Sequence, residues 1–340
     1  MNGLLRQFRW GTAQAGISLS LASSAWLLSG LTASPLINSL LPAFTTLPAL
    51  LPLQRRAGGF LLALMSALLL LLLCSPVAEP LTSSLIISGV LISVLVLALG
   101  QDLSQLPLQR QLLSNSRMSF GQLRRGSELG ALAGFGLTGL LGVGWHQFMP
   151  AALLLLPLLP MAVQARRSSG QQSESIPAFH PGAALQGLVF SGLFALLPLW
   201  VRSISAGNCF NFGMVLMAFG IGRSLIASPP RQSPWRLYVL IALLLLAGQW
   251  LPGWITTALF IAIGALAAGL DHLLVGRIAP QDQAFGWQVM RRSGAVGGLV
   301  GILAMGSVAQ VIGLNAALLL QIALFIAAPF LLQRLCTTEA

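Results

Sequence analysis

The sequence has few carboxylic acids, the side chains that can exchange a proton and carry a negative charge. Two of them, Glu128 and Asp271, lie inside long apolar runs. An ionisable group in apolar surroundings is costly, and it commonly marks an ion or substrate pathway. Both acids are therefore candidates for a carboxylate that binds and releases a proton as a gate opens and closes.

Glu128 also has a purely structural interpretation. Arg124 lies four residues before it, so the two side chains can pair on one face of a helix. An acid in the first turn is also stabilised by the positive end of the helix dipole. If Glu128 instead belongs to a gate, Arg124 is its nearest basic partner.

Asp271 offers the same two alternatives. It can pair with Arg277, Arg291 or Arg292 in a closed inner gate, or it can couple transport to protons. Arg291 is itself a candidate gate residue. The adjacent His272 has a side chain that can titrate near neutral pH. A hydrogen-bonded interfacial histidine is the simpler interpretation of His272.

Enzymatic motifs do not occur in the sequence. It has no glycine-rich phosphate loop, no HExxH pattern and no closely spaced cysteine pair. Cys74, Cys209 and Cys336 lie far apart and are interpreted as small apolar residues. We therefore expect no catalytic residue, no metal ligand and no cofactor, and hence no enzyme.

Composition indicates that most of the protein is surrounded by lipid. Of 340 residues, 56% are hydrophobic and only 7% are charged, whereas a soluble domain has about 25% charged residues. The formal net charge is +11, and every basic residue is an arginine. These arginines are scattered in short segments between apolar runs, which favours contact with anionic lipid over nucleic acid binding.

Twelve apolar runs approach the length of about 20 residues that a helix needs to cross a bilayer. They are 11–31, 34–53, 57–77, 81–100, 126–145, 147–164, 183–202, 207–228, 236–251, 253–275, 288–311 and 314–334. With the N-terminus inside, every arginine except Arg202 falls on the inner side. The pattern predicts a multi-pass protein of the inner (plasma) membrane with both termini cytoplasmic.

A polar segment and a repeated motif indicate two six-helix halves. Residues 165–182 are rich in Ser, Gln and Pro and predict a cytoplasmic linker between a half at 1–164 and a half at 183–340. The motif is "FGQLRRGSELGALAG" from Phe120 and "FGWQVMRRSGAVGGLVG" from Phe285, each at the start of the fifth span of its half. Its glycines, four residues apart, predict a groove in which another helix can pack closely, and such a face would suit two halves that rock over each other.

The chain resembles the major facilitator superfamily over nearly all of its length. The opening, "FRWGTAQAGISLSLASSAWLLSGLTASPLINSLLPAFTTLPALLP", is similar to the first helical pair of its drug- and siderophore-exporter branch. The segment "GLDHLLVGRIAPQDQAFGWQVMRRSGAVGGLVG" is similar to the loop between spans ten and eleven of that branch. The resemblance implies an all-α protein of twelve spans around a central cavity.

The same resemblance places spans one, two, seven, eight and eleven around the cavity. Gln14, Asn38, Gln186 and Asn211 are then the candidate contacts for a small-molecule substrate. The alternative is that these groups bond helix to helix, which is worth about 0.6 kcal/mol on average in membranes. Phe190, Phe194 and Phe212 are typical of an adaptable apolar wall, and equally of any lipid-facing helix.

The expected function is secondary active transport of a neutral or lipophilic organic solute, with the proton as a candidate coupling ion. The scarcity of charge in the spans disfavours sugar phosphates and dicarboxylates, and the resemblance implies efflux. The rival is a non-transporting scaffold that assembles pigment, lipid or a membrane complex. The loop "LPLQRRAGGF" favours it, because it lacks the acid that the family carries there.

Overall fold

The computed structural model describes residues 2–76, 81–114, 120–142, 144–168, 179–203, 207–226, 233–251, 253–279 and 283–337. Within these ranges the regular structure is helical, and no strand occurs. Arg117 and Arg231, which entered the predicted topology, lie outside the described residues, as does most of the predicted linker.

The described ranges contain thirteen α-helices. The first seven are α1 (Asn2–Leu31), α2 (Pro35–Thr46), α3 (Phe60–Leu73), α4 (Ser83–Ser114), α5 (Phe120–Leu140), α6 (Trp145–Leu155) and α7 (Leu159–Ser168). The others are α8 (Pro181–Ser203), α9 (Cys209–Leu225), α10 (Pro234–Gly248), α11 (Gly253–Ile278), α12 (Gln283–Ile312) and α13 (Leu314–Thr337).

The helices match the twelve predicted spans, because α6 and α7 form one broken span. A short 3-10 turn, Leu156–Leu158, joins them at Pro157, which has no N–H for the α-helical ladder. Another 3-10 turn, Leu47–Leu50, prolongs α2 at Pro48, in a span that is rich in proline. The predicted all-α, twelve-span architecture is confirmed.

Length and apolar composition make six helical segments of the described chain able to cross a membrane. They are Ser83–Ser114, Trp145–Gln164, Pro181–Ser203, Gly253–Ile278, Phe285–Ile312 and Leu314–Arg334. Four shorter apolar segments accompany them, at Pro35–Leu50, Ala57–Leu73, Cys209–Leu225 and Pro234–Gly248. The chain is a multi-pass membrane protein.

Several helices extend beyond their predicted spans. The helix α4 continues to Ser114, through a polar segment that begins near residue 101, and α1 begins at Asn2. Hydropathy locates the part of a helix that lies in lipid, whereas leucine, glutamine and arginine favour continued helix in water. The predicted boundaries therefore mark the apolar portion of each helix and not its ends.

The described residues divide into two compact units. Unit 1 is drawn from Met1–Leu31, Leu51–Glu174 and Phe212–Met217, so it holds α1, α3 to α7 and part of α9. Trp10, Phe60 and Leu155 are buried in one apolar cluster of this unit. The Trp10 indole Nε1 donates to Ser127 Oγ at 2.6 Å and so links α1 to α5.

Unit 2 is drawn from Thr32–Leu50, Ser175–Asn211 and Ala218–Ala340. It contains α2, α8, most of α9 and α10 to α13. In its core Phe325 packs edge-on against Phe190, with ring centroids 5.2 Å apart, and lies 6.4 Å from the ring of Tyr238. These aromatic contacts join α8, α10 and α13.

Glycine allows α5 to approach α1 closely in unit 1. A Cβ atom built on Gly130 collides with the carbonyl oxygen of Gly11, and one built on Gly134 collides with that of Ala15. The obstacle is backbone, which cannot move aside as the end of a flexible side chain can. Glycine at these two positions is therefore required by the helix packing.

Unit 2 repeats this arrangement between α12 and α8. A Cβ atom on Gly297 collides with the carbonyl oxygen of Ala184, and one on Gly301 with that of Leu188. In both units, two glycines one turn apart meet two carbonyl oxygens one turn apart. The repeated sequence motif thus encodes a repeated helix pair. Its groove is filled by a helix of the same unit, so these glycines do not form the sliding face that was predicted.

Candidate functional site

Two glycines bring α9 and α11 together in unit 2. A Cβ atom built on Gly222 collides with the carbonyl oxygen of Ile261, and one built on Gly264 collides with that of Phe219. Arg223 follows Gly222 directly, and Asp271 lies two helical turns after Gly264. The close helix contact therefore positions a cation on α9 against a carboxylate on α11.

Asp271 receives two polar partners from neighbouring helices. The Arg223 Nη2 atom lies 2.6 Å from Asp271 Oδ2 and forms both a hydrogen bond and an ion pair with it. Gln186 Nε2, from the second turn of α8, donates to the other oxygen, Oδ1. Asp271 as a whole is only 7% exposed. We call Gln186, Arg223 and Asp271 the polar cluster.

Arg223 is the more accessible partner. Its side chain is 37% exposed, against 10% for that of Asp271. The guanidinium carbon lies 5.9 Å from the ring centroid of Phe219, one turn earlier on α9, and that ring packs edge-on against Phe194 at 4.7 Å. Because Arg223 is in the last turn of α9, its charge is also stabilised by the helix dipole.

One polar atom of the Gln186 side chain makes no hydrogen bond within the described residues. This atom, the oxygen Oε1, is buried. The orientation of the amide follows from Asp271, since a carboxylate accepts hydrogen bonds and the NH₂ group is the only donor of the side chain. A buried carbonyl oxygen without a donor is costly, so this atom favours the binding of a donor.

A further ionisable side chain of α11 lies next to Asp271 in the chain. This residue, His272, packs edge-on against Trp287 of α12, with ring centroids 5.6 Å apart. Helices α8 and α9 therefore supply the polar partners of Asp271 on α11, and α12 packs against the neighbouring His272.

The ion pair that the structure shows for Asp271 differs from the predicted ones. It is with Arg223, whereas pairing with Arg277, Arg291 or Arg292 was predicted, and the gate role of Arg291 stays a prediction. Arg291 is exposed near the start of α12. The predicted partners lie close to Asp271 along the chain. The close contact of α9 with α11 instead brings Arg223, 48 residues earlier in the sequence, next to Asp271.

The pair predicted at the start of the repeated motif is present. Arg124 Nε lies 2.9 Å from Glu128 Oε1, and both side chains are about one-third exposed. This geometry agrees with the structural interpretation of Glu128, because the two residues stabilise one turn of α5. The gate hypothesis for Arg124 and Glu128 stays a prediction.

The other predicted substrate contacts differ in their surroundings. Asn38 is buried, and its Nδ2 donates to the carbonyl oxygens of Thr32 and Ser34, each at 2.9 Å. Asn211 is exposed in the first turn of α9. Gln14 is half-buried on α1, beside Gly130 of α5. Of the four, Gln186 alone joins the polar cluster.

Sequence reasoning missed the role of Arg223 and of Gln321. Gln321 is fully buried on α13, and its Nε2 donates to the carbonyl oxygen of Val189 on α8 at 2.6 Å. A glutamine inside an apolar run is the sequence signal that marks Gln321. In the described part of the chain, no group of three or more His, Cys, Asp or Glu is arranged to hold a metal ion.

No family model and no curated protein sequence matches the chain at a significant level. Solved structures do match. The nucleoside transporter NupG has a TM-score of 0.66 at 13% identity, with 98% of this chain and 99% of that chain covered. A bacterial homologue of the human lysosomal transporter Spinster, inward-facing and unoccupied, has a TM-score of 0.62 at 10% identity, with 96% and 94% covered.

The human organic anion transporter MFSD10 is also similar, with a TM-score of 0.57 at 18% identity and 96% of this chain and 99% of that chain covered. At such identities the likeness is one of fold. The chain has the fold of major facilitator transporters, as its sequence resemblance implied. Its assignment to the drug- and siderophore-exporter branch stays a prediction.

Proposed function

We propose that the chain is a secondary active transporter that moves a small organic solute across the membrane by alternating access. The observation that carries this proposal is the polar cluster, in which Arg223 and Gln186 hold the buried Asp271. Ionisable groups at such positions are characteristic of ion and substrate pathways. The fold supports the proposal, since the solved structures that share it are transporters.

The charges of the polar cluster favour a neutral or lipophilic solute. Arg223 and Asp271 neutralise each other, so the cluster has no uncompensated charge to attract a phosphate or a dicarboxylate. Gln186 Oε1 remains as an acceptor for a solute that carries an N–H or O–H group. The rings of Phe194 and Phe219 add an apolar surface next to Arg223.

The proton is the coupling ion that fits this chemistry. An ionised Asp271 accepts from both Arg223 and Gln186. Once protonated, it loses its attraction for Arg223, and its new O–H can donate to Gln186 Oε1 if the amide turns over. Each protonation state then has a hydrogen-bond partner, while the link between α9 and α11 is strong in only one of them. His272 is a further ionisable group next to Asp271 in the chain.

Efflux is the proposed direction, and the inner membrane the proposed location. The similarity of the opening helical pair and of the loop before span eleven to exporters supports the direction. The arginine distribution supports an orientation with both termini in the cytoplasm. Reporter fusions at Arg110 and Arg236 test that orientation, because both positions should report the same side.

Transport into lipid vesicles under a pH gradient tests the function. The solutes should include a neutral nucleoside, a lipophilic amine and an organic anion. We expect Asp271→Asn to abolish gradient-driven flux of the transported solute and to leave solute exchange without a gradient intact. Glu128→Gln is measured in parallel as a test of the second candidate carboxylate. We expect it to keep gradient-driven flux, since Glu128 pairs with Arg124 of its own helix, and a loss of flux would instead assign Glu128 to the gate.

Other outcomes would correct the proposal in distinct ways. Full gradient-driven flux in Asp271→Asn removes the coupling role of this residue but not the transport function. If the wild-type protein binds a solute but transports none under any gradient, the transport proposal is wrong and the alternative function, a non-transporting scaffold, is favoured.

A further inference from the structure

A cavity lies where the start of one helix of unit 2 meets the ends of two others. None of the three residues of the polar cluster lines it. The first turn of α10, the last turns of α11 and the last turns of α13 surround a partly open cavity of about 570 Å³. This volume is within the range of about 300–1,000 Å³ that is usual for small-ligand sites.

Apolar side chains form the walls of the cavity. They are Leu270, Leu273 and Leu274 of α11 with Pro329 and Leu332 of α13. Tyr238 of α10 also lines it. A soluble polar solute would find few partners on such walls, whereas hydrocarbon chains would be well accommodated.

Positive charge lies at the rim. Arg277, near the end of α11, lines the cavity, is exposed and makes no ion pair with any described acid. The first turn of α10 adds the positive end of its helix dipole. Its N-cap residue, Ser233, also lines the cavity, and its side chain makes no capping hydrogen bond. The rim is therefore complementary to an anion.

Exposed apolar side chains occur on two of the helices that form the cavity. Leu243 of α10 is 55% exposed and Phe330 of α13 is 66% exposed, which favours contact of these helices with lipid. Trp235, half exposed at the rim, is of the residue type that membrane proteins place at the headgroup level. These features favour a lipid molecule as the occupant of the cavity.

We propose that this cavity binds an anionic phospholipid, with the phosphate near Arg277 and the N-terminus of α10 and with acyl chains along the leucines of α11. Basic pockets between helices on the cytoplasmic side of membrane proteins bind lipid headgroups in this way. The arginine distribution of the sequence assigns these three helix ends to the inner leaflet. The inference goes beyond the proposed transport and rests only on the proposed orientation, which the reporter fusions test separately.

The test compares lipids and variants of the purified full-length protein in detergent. Bound lipid is counted by native mass spectrometry, and the shift of the unfolding temperature is measured in parallel. Phosphatidylglycerol is compared with phosphatidylcholine of the same chains, and glycerol 3-phosphate serves as a soluble phosphate. Arg277→Gln is compared with Arg125→Gln, which removes an exposed arginine of unit 1.

We expect phosphatidylglycerol to bind wild type and Arg125→Gln equally, and Arg277→Gln about fivefold more weakly, since a basic residue near anionic lipid contributes about 1 kcal/mol. Leu273→Trp, which fills the cavity without changing charge, should also reduce binding. Equal binding of phosphatidylcholine, equal loss in both arginine variants, or equal stabilisation by glycerol 3-phosphate would overturn the proposal.

Discussion

Arg223 Nη2 lies 2.6 Å from Asp271 Oδ2, and this contact joins the end of α9 to α11 inside unit 2. The carboxylate is buried and the guanidinium is partly accessible. Removing either partner leaves the other charge unpaired, and this costs more when the remaining charge is poorly hydrated. The loss of Arg223 should therefore cost more than the loss of Asp271. The pair therefore offers a direct way to separate structural from transport effects.

Arg223→Gln should destabilise the protein more than Asp271→Asn. The first change leaves an ionised carboxylate with fewer partners, whereas the second leaves an accessible guanidinium that water can solvate. We expect a cost of about 1–3 kcal/mol for Arg223→Gln. Combining it with Asp271→Asn should recover part of that loss.

Chemical unfolding of the four proteins in one detergent measures this double-mutant cycle. Additive losses would show that the two side chains do not interact in solution, contrary to the contact described above.

Gly264→Ala should weaken the polar cluster from a distance. Its methyl group would meet the carbonyl oxygen of Phe219 and push α9 away from α11, at a cost of about 1–3 kcal/mol. Gly276→Ala is the matched control on the same helix, because no atom lies within 4 Å of its built Cβ. That change should be neutral, or stabilising by up to about 1 kcal/mol.

Unfolding midpoints and vesicle transport should both be recorded for these two variants. We expect Gly264→Ala to lose solute flux and stability together, while Gly276→Ala retains both. A Gly264→Ala protein with wild-type stability would contradict the close contact of the two helices.

The architecture was predictable because hydropathy and charge act over whole segments. Runs of about 20 apolar residues require helices in lipid, and arginine restricts how the loops can be placed. The repeat was equally visible, since Gly130 and Gly297 follow the same paired-arginine motif. The helix that fills each glycine groove was not evident, because a groove on one helix does not identify its partner.

The polar cluster was predictable only in part. Asp271 and Gln186 stood out as polar side chains in apolar runs, but they were assigned to different roles. Arg223 lies near the end of the predicted span 207–228, and no spacing in the sequence connects it to Asp271. The connection depends on the contact of α9 with α11 at Gly222 and Gly264, a tertiary feature with no local sequence signature.

The repeated helix pairs predict equivalent responses in the two units. Gly130→Ala and Gly297→Ala should each cost about 1–3 kcal/mol, because each methyl group would collide with backbone of α1 or α8. Gly294→Ala is the control, since its built Cβ meets only the Ala183 carbonyl oxygen, at an ordinary 3.7 Å.

Thermal unfolding of the three variants tests the equivalence. The two repeat variants should unfold earlier than wild type and Gly294→Ala should not. A large effect in one unit only would show that the matching motifs do not encode matching packing.

Removing the side-chain amide should affect stability at Asn38 and transport at Gln186. Both Nδ2 hydrogen bonds of Asn38 go to the backbone at the start of α2, so Asn38→Ala should act on stability, by about 1 kcal/mol. Gln186 donates to Asp271 and keeps Oε1 for a donor, so Gln186→Leu, which preserves volume, should act on transport.

The measurement is the concentration dependence of solute flux, with unfolding temperatures recorded alongside. We expect Asn38→Ala to keep its KM and lose some thermal stability, and Gln186→Leu to raise KM or lose dependence on the pH gradient. If Asn38→Ala raised KM at unchanged stability, Asn38 would contact the solute as the sequence resemblance implied. If Gln186→Leu changed neither quantity, the polar cluster would have no part in transport.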